Sequence, residues 1–251
     1  MRHTTMPFAR ESRGEVVVSR LATFVMSLAL LVGVILEYAG YPAHPARVRP
    51  YETLTLDSRL NHVVVIGDSY TTGTDEGGLG PKSWTALAWR SLAARGVRIA
   101  ADVAAEGRAG YGVPGDHGSV FEDLTARAVK PDDVLVVFFG SRNDQGVDPE
   151  LLTDRAGATF DLARRLAPSA RFLVIGPPWP TADVPDSVLQ IRDILNAGAR
   201  AAGAAFVDPI GDHWFVGRPD LIGADGVHPN DAGHEYLADK IAPLIRAQLF
   251  K

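Results

Sequence analysis

HVVVIGDSYTTGTD, residues 62–75, carries four successive aliphatic side chains into Gly-Asp-Ser and then into a cluster of threonines around a glycine. An unbroken apolar run belongs to a strand buried on both faces, because a strand with one wet face alternates polar and apolar positions. The polar, small-residue end sets Ser69 at the carboxyl edge of that strand. Open α/β sheets carry their chemistry at that edge. Alone, the segment reads equally well as a capped strand-to-helix turn, so the rest of the chain must decide.

Four more apolar runs follow: VRIAADVA (97–104), DVLVVFFG (133–140), RFLVIGPP (171–178) and a short AAFVDP (204–209). Helical patterns separate them, at 83–95, about 120–129, 149–166 and 187–202, and a last one spans 231–250. Strands alternating with helices predict a parallel sheet with crossover helices. The expected fold is a three-layer α/β/α sandwich around a five-stranded, mostly parallel, flavodoxin-like sheet, occupying residues 50–251. No internal repeat or low-complexity tract interrupts it.

The 251 residues carry a net charge of -5, unevenly spread. Six arginines against three glutamates make residues 1–49 positive, which leaves 50–251 at -8 (-5 minus +3). An acidic body of this kind argues against a nucleic-acid partner. The absence of cysteine excludes disulfides, thiolate metal sites and a cysteine nucleophile. Residues 1–49 read as a separate leader. Arg2, Arg10, Arg13 and Arg20 precede LATFVMSLALLVGVILEYAG (21–40), uncharged until Glu37, and the Pro-rich tract YPAHPARVRP (41–50) follows as a linker. This order predicts export, with the segment an uncleaved membrane anchor or else a signal. No small-x-small cleavage site stands out, which favours the anchor.

A nucleophilic Ser69 needs a base, a residue to orient that base, and donors for an oxyanion. LIGADGVHPNDAGH (221–234) holds Asp225 and His228 three positions apart, with Pro229 next. A residue before proline is pushed out of helical geometry, so the pair belongs on an extended loop ahead of the last helix, whose expected cap is Asn230 or Asp231. Both side chains can then reach the sheet edge. No histidine and carboxylate set has metal-ligand spacing, and GYGVPG (110–115) lacks the Lys-Ser or Lys-Thr of a phosphate loop, so no cofactor is expected.

Gly67-Asp68-Ser69 after the first strand, AAEGRAGYG (104–112) after the second, GSRND (140–144) after the third and DGVHP (225–229) before the last helix resemble the four ordered blocks of the SGNH hydrolases, also called GDSL esterases. The resemblance spans residues 61–245 and is nearest to secreted or anchored actinobacterial members. It implies a serine-dependent esterase that deacylates an O-acyl ester of a small molecule, glycan or lipid. Ser69 would be the nucleophile, His228 the general base and Asp225 the residue that orients the imidazole. The oxyanion would meet the backbone N–H groups of Ser69 and Gly110 and the side-chain amide of Asn143.

Two departures from the family pattern stand out. Ser141 occupies the usual glycine position two residues before Asn143, with Gly140 one place further back, and Ala104, Ala105 and Glu106 replace an asparagine common in the second block. Gly110 is preferred to Gly107 because the family's donor glycine ends such a run, and Gly107 stays as the alternative. Asp68 and Asp144 are expected to brace turns, and His234 to lie on the surface of the last helix. Trp179 and the segment 213–223 are expected beside the site, as substrate walls or as cover for the sheet. An acyltransferase using the same acyl-enzyme and a non-catalytic binding domain are the competing readings. A phosphatase is disfavoured because the first strand does not end in Asp-x-Asp.

Overall fold

The first strand, β1 (Asn61–Gly67), lies second in the sheet, and Val63, Val64, Val65 and Ile66 are all fully buried. The computed structural model describes residues 24–32 and 60–251, the latter within a compact unit of residues 58–251. Of the apolar N-terminal segment, 24–32 form a helix, α1, with exposed side chains. The remainder of the expected anchor and the Pro-rich linker fall outside the described residues. Among the described residues no helix is long and apolar enough to cross a membrane.

From β1 the chain turns through a single helical turn, α2 (Ser69–Thr72), and then α3 (Trp84–Ala94) to β2 (Ile99–Ala105). It continues through α4 (Phe121–Ala128), β3 (Leu135–Phe139), α5 (Pro149–Leu166), β4 (Arg171–Ile175), α6 (Asp186–Ala201), β5 (Ala205–Val207) and α7 (Asp231–Leu249). The strand order is β2-β1-β3-β4-β5 and every pairing is parallel. The sheet is therefore more uniform than the mostly parallel one expected.

Strand alternation builds the three layers. Val63 and Val65 point into one apolar cluster with Trp84, Ala88 and Leu92 of α3 and Leu237, Ile241 and Ile245 of α7. Val64 and Ile66 point the other way, toward Phe121 and Leu124 of α4, Leu152 and Phe160 of α5, and Ile191 and Leu195 of α6. Two dry faces explain why the central strands read as continuous apolar runs. Ser83 caps α3, Asp148 caps α5 with Pro149 in its first turn, and Asn230, one of the two caps expected for the last helix, caps α7 through the Gly233 N–H at 3.0 Å.

This topology fixes where a ligand can sit. The chain leaves β1 toward β2 on one side, and β3 pairs with β1 on the other, so the carboxyl ends of β1 and β3 flank the switch point of the sheet. Gly67-Asp68-Ser69 emerges from one and Gly140–Asp144 from the other.

Candidate active site

Asp68 caps α2 by accepting the Tyr70 N–H at 2.9 Å, which sets Ser69 as the first residue of the turn, 8% exposed. His228 comes from the loop before α7. Its Nε2 lies 2.9 Å from Ser69 Oγ, and its Nδ1 lies 2.5 Å from Asp225 Oδ2. The Asp225 Oδ1 also accepts the backbone N–H groups of Val227 at 2.8 Å and His228 at 2.9 Å, so one carboxylate folds the loop and holds the ring. Burial pushes Asp225 upward, but the bonds from the His228 ring and these two N–H groups outweigh it and keep the carboxyl below its ordinary range. An ionised carboxylate only accepts. It therefore selects the tautomer with the proton on Nδ1 and leaves Nε2 free to accept from the serine hydroxyl.

Asn143 stands in a 3-10 turn, Arg142–Asp144, capped by Ser141 Oγ, which accepts the Asn143 N–H at 3.1 Å. Ser141, at the family's usual glycine position, thus supplies a cap. The Asn143 amide donates to the Ala109 carbonyl at 2.9 Å and lies 3.4 Å from Asp68 Oδ2, so it joins the loop after β2 to the residue beside Ser69.

Gly110 requires a correction. Its N–H donates to the Val113 carbonyl at 2.8 Å and its carbonyl accepts from Phe121 N–H at 2.8 Å, so the expected oxyanion donor is engaged inside a turn. The residue is glycine for another reason: a side chain there would collide with the Asp144 carboxylate. Gly107, the rejected alternative, shares a cleft of about 510 Å³ with Ser69 and His228. Among the described residues neither its N–H nor that of Ser69 has a protein acceptor. Register explains the placement. Ala105 pairs with Gly67 at the ends of β2 and β1, so Gly107, two residues on, stands at the same edge as Ser69.

Asp144 accepts the N–H groups of Tyr111, Gly112 and Val113 at 2.9, 2.8 and 3.1 Å and so braces the loop after β2 instead of its own turn. Glu106, buried, accepts from the N–H groups of His117 and Ser119 and closes the same loop from its other end. His234 is also corrected: it is 1% exposed, not a surface residue, and its Nδ1 accepts the Trp84 N–H at 3.3 Å. Its ring occupies the space where a side chain on Gly78 would stand. Within 213–223, Trp214 and Phe215 pack into the core, whereas Trp179 is partly exposed, with the Arg142 guanidinium 4.2 Å over its ring.

Asp68 is 1% exposed, and burial pushes its carboxyl up to about 7 despite the Tyr70 N–H and the nearby Arg142. Between the ordinary value of 3.8 and about 7 the folded chain thus holds a proton that the unfolded chain has released. Stability from this group falls as pH rises through that window. His234, lowered to about 4 chiefly by burial, acts in the opposite sense, since the unfolded chain binds the extra proton between 4 and 6.5. Asp68→Asn keeps an acceptor for Tyr70 and removes the titration. Its melting temperature should rise relative to the unsubstituted chain as pH goes from 4 to 7, and a constant difference across that range would refute the assignment.

A serine, a histidine and an aspartate in line at the switch point of an all-parallel sheet define a hydrolase-type site, and the sequence comparison agrees: the chain belongs to the GDSL-like lipase/acylhydrolase family, matched over residues 65–236. It is an SGNH-type ester hydrolase. It is 73% identical over 234 residues, 92% of this chain and 99% of the relative, to GDSL lipase Rv0518 of Mycobacterium tuberculosis (strain ATCC 25618 / H37Rv). Among solved structures it resembles TesA, with a TM-score of 0.60 at 22% identity over 74% of this chain and 99% of that one. It likewise resembles a family two carbohydrate esterase from Clostridium thermocellum in complex with cellohexaose, with a TM-score of 0.60 at 18% identity over 75% of this chain. The match spans 64% of that esterase's length. At these identities the two structures speak for the fold.

Proposed function

We propose that the chain deacylates an O-acyl ester through an acyl-enzyme on Ser69. The observation that carries this reading is the line of contacts from Ser69 Oγ to His228 Nε2 at 2.9 Å and from His228 Nδ1 to Asp225 Oδ2 at 2.5 Å. The imidazole takes the serine proton as Oγ attacks the acyl carbon. It then returns that proton to the departing alcohol. Water repeats the sequence on the acyl-enzyme, releasing the acid and restoring Ser69. Asp225 stabilises the transient imidazolium. Charge on the tetrahedral intermediate is met by the N–H groups of Ser69 and Gly107 and by the Asn143 amide.

The cleft beside Ser69 is open and has a mixed lining, with Thr72, Asp75, Arg108 and His117 beside Leu79 and Ala105. An open cleft without a deep apolar tunnel suits a short acyl group better than a long chain. One of the structural neighbours is a carbohydrate esterase and the curated relative is called a lipase, so glycan and lipid esters are the two sources to compare. The test is a series of p-nitrophenyl esters from acetate to dodecanoate, together with an acetylated polysaccharide and a phospholipid. Acetate and butyrate should lead in kcat/KM. A rate on every ester no greater than that of Ser69→Ala would overturn the reading.

A further inference from the structure

The four letters of the family name end in leucine, but this chain has Gly67-Asp68-Ser69-Tyr70. Tyr70 is 1% exposed. Its ring packs edge-on against Phe139, 6.2 Å between centroids at 81°, and against Phe215, 6.4 Å at 69°, both core residues that a leucine could also meet. Its hydroxyl has no counterpart in leucine. It donates to the Val227 carbonyl at 2.5 Å, across 157 positions of sequence. The ring also lies 5.9 Å from the His228 imidazole.

The placement of this bond gives it meaning. Tyr70 follows Ser69, and Val227 precedes His228. The contacts therefore close a ring: Ser69 to Tyr70 by covalent bond, Tyr70 hydroxyl to Val227 carbonyl, Val227 to His228 by covalent bond, and His228 Nε2 back to Ser69 Oγ. The Val227 N–H is already held by Asp225 Oδ1 at 2.8 Å, so the residue before the histidine is tied on both sides, once within its loop and once to the turn bearing Ser69. The loop has another long-range tie, from the Ala224 N–H to Glu76 at 2.6 Å, but Ala224 stands four residues before His228 and Glu76 seven after Ser69, so that bond holds the start of the loop and not the residue beside the imidazole. Burial raises the Tyr70 phenol well above its ordinary value, so the hydroxyl keeps its proton and remains a donor.

We infer that Tyr70 is a positioning residue, whose hydroxyl sets the distance between Ser69 and His228 by holding the Val227 carbonyl. The inference rests on the proposed roles of Ser69 and His228. A core-filling role alone would need only the ring, and Tyr70→Phe preserves the ring. Tyr70→Leu supplies the family's own residue and also lacks the hydroxyl.

Diisopropyl fluorophosphate is the probe, because its reaction needs an activated serine and no acyl pocket: Oγ bonds to phosphorus, fluoride leaves, and His228 takes the proton. Labelling rate, kcat and KM for p-nitrophenyl acetate, and melting temperature would be measured on the wild type, Tyr70→Phe, Tyr70→Leu and Ser69→Ala, with rates expressed per folded molecule. Both Tyr70 variants should label, and turn over, about ten-fold more slowly, with KM changed by no more than about two-fold, since a small displacement of reacting groups is felt in the chemical step. Wild-type labelling rates in Tyr70→Phe, whatever its melting temperature, would overturn the positioning role while leaving the nucleophile intact. Labelling of Ser69→Ala at the wild-type rate would overturn both.

Discussion

Ser69→Ala should lower kcat by about 10^4-fold or more while the protein keeps its fold, in line with the loss of triad members in other serine hydrolases. The fold is expected to survive because the Ser69 side chain stands at the rim of the cleft. The turn that carries it is held by Asp68, through the Tyr70 N–H, and by the ring of Tyr70 in the core. Truncation removes a hydroxyl whose recorded partner is His228 and leaves no buried polar group stranded, since that ring faces a cleft open to water. Activity and melting temperature on the same preparation check this. An alanine variant keeping more than about a tenth of wild-type turnover would contradict a serine nucleophile, because background catalysis from binding and oxyanion donors is far smaller.

The second large effect is expected at Asn143. In the proposed mechanism its amide meets a charge that exists only near the transition state, so Asn143→Ala should lower kcat by about 10^2- to 10^3-fold, or roughly 3 to 4 kcal/mol, and leave KM nearly unchanged. Asn143→Asp should be worse, because a carboxylate would oppose the developing oxyanion and would also face the Asp68 carboxyl, which lies 3.4 Å from the Asn143 amide. The amide has structural bonds as well: to the Ala109 carbonyl, which keeps a second donor in Ser141 Oγ at 3.2 Å, and a longer one, 3.4 Å, to the buried Asp68 carboxyl. Removal should therefore cost some stability through Asp68, but much less than it costs in turnover. A variant that melts markedly earlier yet turns over normally per folded molecule would make Asn143 a brace for the loop after β2 and nothing more.

The fold was legible because its central strands are dry on both faces. Val63 to Ile66 and Leu135 to Phe139 must be apolar without alternation, and that requirement shows in the sequence as unbroken runs. The helix expected at about 149–166 is α5, Pro149–Leu166, with Asp148 as its cap and Pro149 in its first turn. Strand ends were less legible. The apolar run 171–178 extends three residues past β4, because the Gly176 N–H still donates to the Val207 carbonyl and the two prolines after it have no N–H to extend the ladder.

Legibility of the site divides in the same way between local and long-range causes. Ser69, Asp225 and His228 announce themselves through neighbours: the glycine and acid before the serine, and the proline that forces His228 into an extended loop. The choice between Gly107 and Gly110 depends on the register of β2 against β1, which no count of glycines contains. The burial of His234 is not legible locally because it comes from Gly78 and Trp84, some 150 positions away. In sequence Tyr70 is simply the residue that follows Gly67-Asp68-Ser69. Its hydroxyl gains a purpose only once the loop carrying Val227 is folded against it.

The most direct test of the account is to trap the acyl-enzyme. An ester that deacylates slowly, quenched in acid during turnover and followed by digestion and mass spectrometry, should leave the acyl mass on the peptide containing Ser69 in the wild type and on no peptide of Ser69→Ala. Sustained hydrolysis with the acyl group on another residue, or on none while the same ester gives a burst of alcohol, would contradict a mechanism through Ser69.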